Sequence, residues 1–105
     1  MNKEENNTIG EVFIVTTSCH VARRDGVPDE NYGFNIRVVT TDFEKAYKCF
    51  KTWLRNIDGH MNRAGYREKH DSRYMDGDLY RWVTWERNNE IESTCVELKR
   101  YKVEN

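Results

Sequence analysis

At 105 residues the chain has room for one hydrophobic core and not for a second. Seventeen Lys and Arg against eighteen Asp and Glu leave a formal net charge of -1, so no global field draws it to nucleic acid or an anionic membrane. Only 37% of residues are hydrophobic while 33% are charged and 12% aromatic, which predicts a small aromatic-rich core under a well-solvated surface.

The longest purely apolar run, Val12 to Val15, falls far short of the ~20 residues of a membrane span. The polar first residues carry no secretory apolar region, and the expectation is a soluble, cytoplasmic protein without membrane partners. Cys19, Cys49 and Cys95 form an odd set with no Cys-x-x-Cys pair, which fits reduced thiols better than a disulfide framework or a zinc knuckle.

Residues 1–10, MNKEENNTIG, are polar and end in glycine; they read as a mobile tail ahead of a single domain over 11–105. Glu11 to Thr17 is rich in β-branched residues and reads as a strand, with Phe13 and Val15 on one side and Val12, Ile14 and Thr16 on the other. Apolar residues on both sides predict an internal strand. From Ser18 to Gly33 the turn residues Asp25-Gly26, Pro28, Asp29 and Asn31 predict a long loop, the wide end of a hairpin. Phe34 to Thr40 resumes strand character, with Phe34, Ile36 and Val38 alternating against Asn35 and Arg37.

Thr41 to Gly59 is the best-specified element and the only long helix expected. At about 100° per residue, Phe43, Ala46, Tyr47, Phe50, Trp53, Leu54 and Ile57 fall within an arc of roughly 120°. Thr41 and Glu44 have the spacing of a capping box, Asp42 sits at the positive end of the macrodipole, and Gly59 suits a left-handed stop. Asp58 to Gly77 has no sustained apolar period and reads as a long loop, either hiding a short element around Ala64 to Lys69 or forming a functional excursion.

Asp78 to Arg87 and Ile91 to Val103 alternate strongly around Asn88-Asn89, a dipeptide suited to the positive φ of a tight hairpin turn. With those two residues in the turn, Leu79, Val83 and Trp85 share a face with Val96 and Leu98, which is assigned to the helix side. Tyr80, Trp82 and Thr84 then share the other face with Cys95, Ser93 and Ile91. The whole predicts an α+β fold: a mostly antiparallel four-stranded sheet with one long helix packed on one face. The second sheet face is left without an obvious cover unless the long loops or another molecule supply it.

Few residues point to chemistry. A nucleophilic cysteine needs a base within hydrogen-bond reach; Cys19-His20 is the one sequence-adjacent thiol and imidazole, and on a strand the two would point to opposite faces, so an enzyme built on this pair is the third reading, behind the two binding roles below. His60, His70, Cys19 and His20 lack the paired spacing of a zinc site, and Asp71, Asp76 and Asp78 lack the ligand alternation of a calcium loop. No Gly-rich phosphate loop or nucleophile elbow is present, which weighs against a common nucleotide-dependent or hydrolytic enzyme; the expectation is a non-enzyme without metal or cofactor. Interface cores favour Tyr, Trp, Met and Arg, which makes Tyr66, Tyr74, Tyr80, Trp82 and Arg73 the candidate contacts for a protein partner or a homodimer. The alternative is nucleic-acid or nucleotide binding through a basic helix stripe, Lys48, Lys51 and Arg55, together with Arg63 and Arg67 in the following segment.

A strand running into TTDFEKAYKCF, a polar loop and a terminal DGDLYRWVTWERNNE hairpin resembles, in layout, the small α+β proteins encoded by bacteriophages and mobile elements. That resemblance carries no specific motif and transfers no functional residue. It implies a non-catalytic role, occluding or sequestering a host factor, immunity components included.

Overall fold

The computed structural model describes residues 10–23, 32–76, 78–88 and 90–103. In chain order they form β1 (Gly10–Arg23), β2 (Tyr32–Thr40), α1 (Phe43–Arg63), β3 (Arg67–Asp76), β4 (Asp78–Arg87) and β5 (Glu90–Val103). The strands make one antiparallel sheet in the order β2-β1-β5-β4-β3, with α1 across one face. The α+β class holds, but the sheet has five strands where four were expected. The expected tail lies outside the described residues except for Gly10, which opens β1.

β1 is internal, as its two apolar sides require, with β2 on one flank and β5 on the other. It pairs with β5 from Gly10↔Val103 to Arg23↔Glu90, well past the end expected at Thr17. Ser18 to Arg23 is therefore strand and not loop: pairing to β5 satisfies its backbone groups, which local composition cannot foresee. The turn residues at 25–31 lie outside the described residues.

α1 begins one residue later than the capping box implied. Asp42 is the N-cap, its Oδ1 accepting from the backbone N–H of Glu44 at 2.9 Å and Lys45 at 3.4 Å. A carboxylate there satisfies orphan donors and meets the positive end of the helix at once, so it displaces Thr41. Nor does the helix stop at Gly59. It continues to Arg63 and ends in a Schellman arrangement, with Gly65 N–H donating to Asn62 O at 3.1 Å and Tyr66 N–H to Met61 O at 3.0 Å. Gly65 has φ +86°, the left-handed conformation that glycine adopts at no steric cost. Glycine within a helix costs about 1 kcal/mol relative to alanine. The extra turn offsets this by burying Met61 with Tyr66, Val83 and Trp85 in a second core cluster.

The region expected as a loop over 58–77 thus divides into the end of α1 and all of β3. β3 hangs on the sheet edge beside β4, with Lys69 bulged between the pairs Glu68↔Trp85 and His70↔Thr84. Its charged sequence suits an edge, where charge discourages pairing with other chains, and that same charge hides its periodicity.

The β4–β5 hairpin has the expected register: Arg87 pairs with Glu90 and Asn88 adopts φ +53°. Leu79, Val83, Trp85, Val96 and Leu98 are buried on the helix side. With Phe13, Val15, Ala46 and Phe50 they line the space under α1, and Tyr47, Trp53, Leu54 and Ile57 close its margins. Phe43 sits at the rim of an aromatic row, 5.3 Å from Phe13 and 5.8 Å from Tyr47 between ring centroids. Phe50, Leu98, Val15 and Val83 are wholly buried, each worth about 1.5–3 kcal/mol of gross burial.

Candidate functional site

The sheet face away from α1 is the main candidate. On β2 the expected alternation of Phe34, Ile36 and Val38 on one side does not hold, because a register shift falls between Val15 and Thr16. Val15 faces Val38, which turns in to the core, while Thr16 pairs with Ile36 and Ser18 with Phe34. Arg37 is the extra residue. The bulge therefore leaves Phe34 and Ile36 outside, beside Val39, which alternation from Val38 already places there; they are 54%, 60% and 58% exposed. Trp82 on β4 and Tyr101 and Val103 on β5 are exposed on the same side by strand alternation. Between them a shallow concavity of about 600 Å³ is lined by Ser18, His20, Tyr80, Trp82, Cys95 and Glu97. Burial pushes the Cys95 thiol up, and the nearby Glu97 carboxylate adds to the shift.

The candidate partner residues do not form one patch. Tyr80 and Trp82 lie on this outer face. Tyr74 pairs with Tyr80 through the backbone, and its side chain lies outside the described residues. Tyr66 is buried in the second core cluster, and Arg73 sits on the helix side of β3, held by Asp71. The aliphatic strip of β2 went unforeseen because the bulge that exposes it has no composition of its own.

Tyr66 and Arg73 belong to two polar clusters that anchor β3 and the end of α1. Arg81, buried on the helix side of β4, reaches Asp58 of α1 at 2.6 Å, Glu68 of β3 at 3.1 Å and Asp71 of β3 at 3.2 Å. Burial opposes the charges on Arg81 and Asp71. Hydrogen bonds within the cluster outweigh it, raising the guanidinium and lowering the carboxyl. The Tyr66 hydroxyl donates to Glu90 at 2.7 Å, while Arg87 lies 4.4 Å over the Tyr66 ring and donates to Ala64 O at 2.7 Å. The bond to Glu90, then burial, pushes the Tyr66 phenol up to about 12.

The basic residues are also divided. Lys48, Lys51 and Arg55 line one shallow depression on the exposed side of α1, shared with Asp42 and Glu44. Arg63 stands in the last helical turn and Arg67 opens β3, so neither extends that stripe.

A third feature joins residues that no sequence pattern linked. Between the second half of α1 and the β1–β2 hairpin lies a cleft of about 420 Å³. Its polar lining includes Thr17, Asn35, Arg37, Asn56 and His60, and its apolar lining Trp53, Ile57 and Met61. Cys19 borders both this cleft and the outer-face concavity that His20 lines, and strand alternation sends the thiol and the imidazole to opposite faces. Gly33 pairs with Cys19, and a Cβ at that position would stand 2.8 Å from its Sγ. Among the described residues no three His, Cys, Asp or Glu side chains are grouped to hold a metal ion, and no helix is long and apolar enough to cross a membrane. No family model, curated protein or solved structure matches the chain.

Proposed function

We propose that this chain is a non-catalytic protein-binding module whose contact surface is the outer sheet face. One observation carries the reading: Phe34, Ile36, Val39, Trp82, Tyr101 and Val103 are all exposed on that single face. Scattered exposed apolar residues need no explanation, but six on one sheet face, flanking a band of Ser18, Thr16, Glu97 and Lys99, make that face unusually apolar for one left open to water. Five strands about 4.8 Å apart and some ten residues long at about 3.3 Å each give a footprint of roughly 800 Å². That is about the area each partner contributes to a standard interface.

The occupant that fits best is a second copy of the chain, laid sheet to sheet. β5, the central strand, carries Glu97 and Lys99 on this face with 3.7 Å between them, so both signs are present and a two-fold axis can bring each against its opposite. A sequestering role toward a host or immunity factor would use the same face on a different protein.

The test is solution mass by light scattering during chromatography, for the wild type and for Ile36→Thr/Trp82→Ser. A wild-type dimer that the double variant converts to a folded monomer supports the reading. A wild type that stays monomeric up to about 1 mM, a limit of about −4 kcal/mol, would refute the dimer. A double variant that unfolds would make these residues core and remove the argument for the face.

Nucleic-acid or nucleotide binding is the second reading, supported by Lys48, Lys51 and Arg55 on one surface with no ion pair among the described residues. It requires binding whose salt dependence falls on charge reversal at those positions.

A further inference from the structure

We propose that the cleft between α1 and the β1–β2 hairpin binds a small organic oxyanion, a carboxylate or phosphate on an apolar body, with Arg37 holding the anionic group. The site is separate from the outer sheet face and does not depend on it. Arg37 is the residue inserted by the β-bulge, which turns it toward α1 and away from the alternation of β2. Its Nε donates to Thr17 Oγ1 at 2.9 Å and its guanidinium lies 3.8 Å over the Trp53 ring. These two contacts hold the fork in one plane. Its terminal amino groups have no hydrogen-bond or carboxylate partner among the described residues. A preoriented fork with open donors is what bidentate binding of a carboxylate or phosphate requires.

The rest of the cleft supplies what a small-molecule site needs. Its volume of about 420 Å³ lies within the usual range for ligand pockets. Ile57, Met61 and Trp53 give an apolar wall, and the amides of Asn35 and Asn56 stand on opposite sides with His60 beside them. Glu92 closes the far end, opposite Val21 in register, while Arg37 enters beside Thr16. Five residues along β1 separate the two levels by about 16 Å. The cleft is therefore polarised, and an anionic group belongs at the Arg37 end with the apolar body against Ile57 and Met61.

An amide NMR titration with phenyl phosphate, benzoate and inorganic phosphate tests this. Both organic probes should give saturable shifts at the Trp53 indole and at the Asn35 and Asn56 side-chain amides, and inorganic phosphate should bind more weakly. The tighter of phenyl phosphate and benzoate identifies the head group. Arg37→Gln should weaken both organic probes about tenfold or more, because a charge-assisted bidentate pair is lost. Lys48→Gln, on the exposed face of α1, should leave them unchanged. Asn56→Ala changes an exposed helix position, so it decides the matter if Arg37→Gln loses its fold; it should weaken the same probes several-fold. The proposal is overturned if no probe saturates, if folded Arg37→Gln binds as the wild type does, or if the shifts map to Lys48, Lys51 and Arg55. Inorganic phosphate binding as tightly as the organic probes would overturn the role of the apolar wall.

Discussion

Replacing Arg81 with Met should destabilise the protein by about 2–3 kcal/mol at neutral pH. Removing one partner from a fully buried ion pair costs about 3–5 kcal/mol, because the other charge is left unpaired. Here the cation is the buried member, and the carboxylates of Asp58, Glu68 and Asp71 remain 36%, 46% and 23% exposed. Water can rehydrate them in part, which brings the expected cost below that range. Their mutual repulsion, once the guanidinium is gone, keeps it well above zero. Urea denaturation at pH 7 and pH 3 measures the difference. Asp71 is held below its ordinary 3.8, so its contribution is whole above that value and is lost as the pH falls from there through the lower pKa it has in the fold. The gap between wild type and variant should therefore narrow at pH 3. A neutral-pH difference under about 1 kcal/mol, or one that is equal at both pH values, would refute the view that Arg81 ties β3 and α1 to the sheet.

Gly65→Ala should cost about 1 kcal/mol, from the left-handed backbone alone, since its Cβ would meet Arg87 at an ordinary 3.6 Å. Gly65→Asn should cost less, and thermal unfolding that ranks Asn below Ala would count against the Schellman stop. Tyr66 titrates from an unfolded value near 10 to about 12 in the fold, so the stability it lends is whole below pH 10 and is lost as the pH rises toward 12. Tyr66→Phe should flatten this alkaline loss, which denaturant midpoints at pH 9 and pH 11.5 would show; an unchanged slope would mean that the bond to Glu90 is not made in solution.

The elements legible in the sequence were those that combine a strong period with a local stop. α1 announced its apolar arc through Phe50, Trp53 and Ile57, and the Asn88-Asn89 turn set the β4–β5 register by counting. β3 was not legible, because an edge strand carries charge on both faces and Arg67 to Asp76 shows neither period. Its entry was written nonetheless: Met61, Gly65 and Tyr66 stand at the three positions a Schellman stop uses, with the glycine flanked by the apolar pair that closes it. Gly59 drew attention away by offering an earlier stop. The bulge opposite Val15 was beyond reach, since it arises from pairing between strands and from no residue type. That one insertion determines which β2 side chains are exposed and turns Arg37 into the cleft. Both candidate sites hinged on it, so neither Ile36 nor Arg37 stood out as functional.

One helix cannot cover this sheet, and both candidate sites follow from the shortfall. α1, at 21 residues, is about 32 Å long and about 10 Å wide with its side chains. Five strands at about 4.8 Å span some 24 Å, so more than half the width of even the helix side needs other cover. Toward β3 the gap is filled by charge: Arg81 stands where another apolar residue would be expected and draws Asp58, Glu68 and Asp71 over the sheet. Toward β2 no such cluster forms. There Arg37 lies over the Trp53 ring and the space beyond it stays open as the cleft. The outer face has no helix at all among the described elements, and its apolar residues concentrate on β2, β4 and β5. A chain selected only to fold would gain by making Ile36, Val39 and Trp82 polar, because their exposure contributes little to stability and invites aggregation. A second copy laid over this face, as proposed above, would bury them.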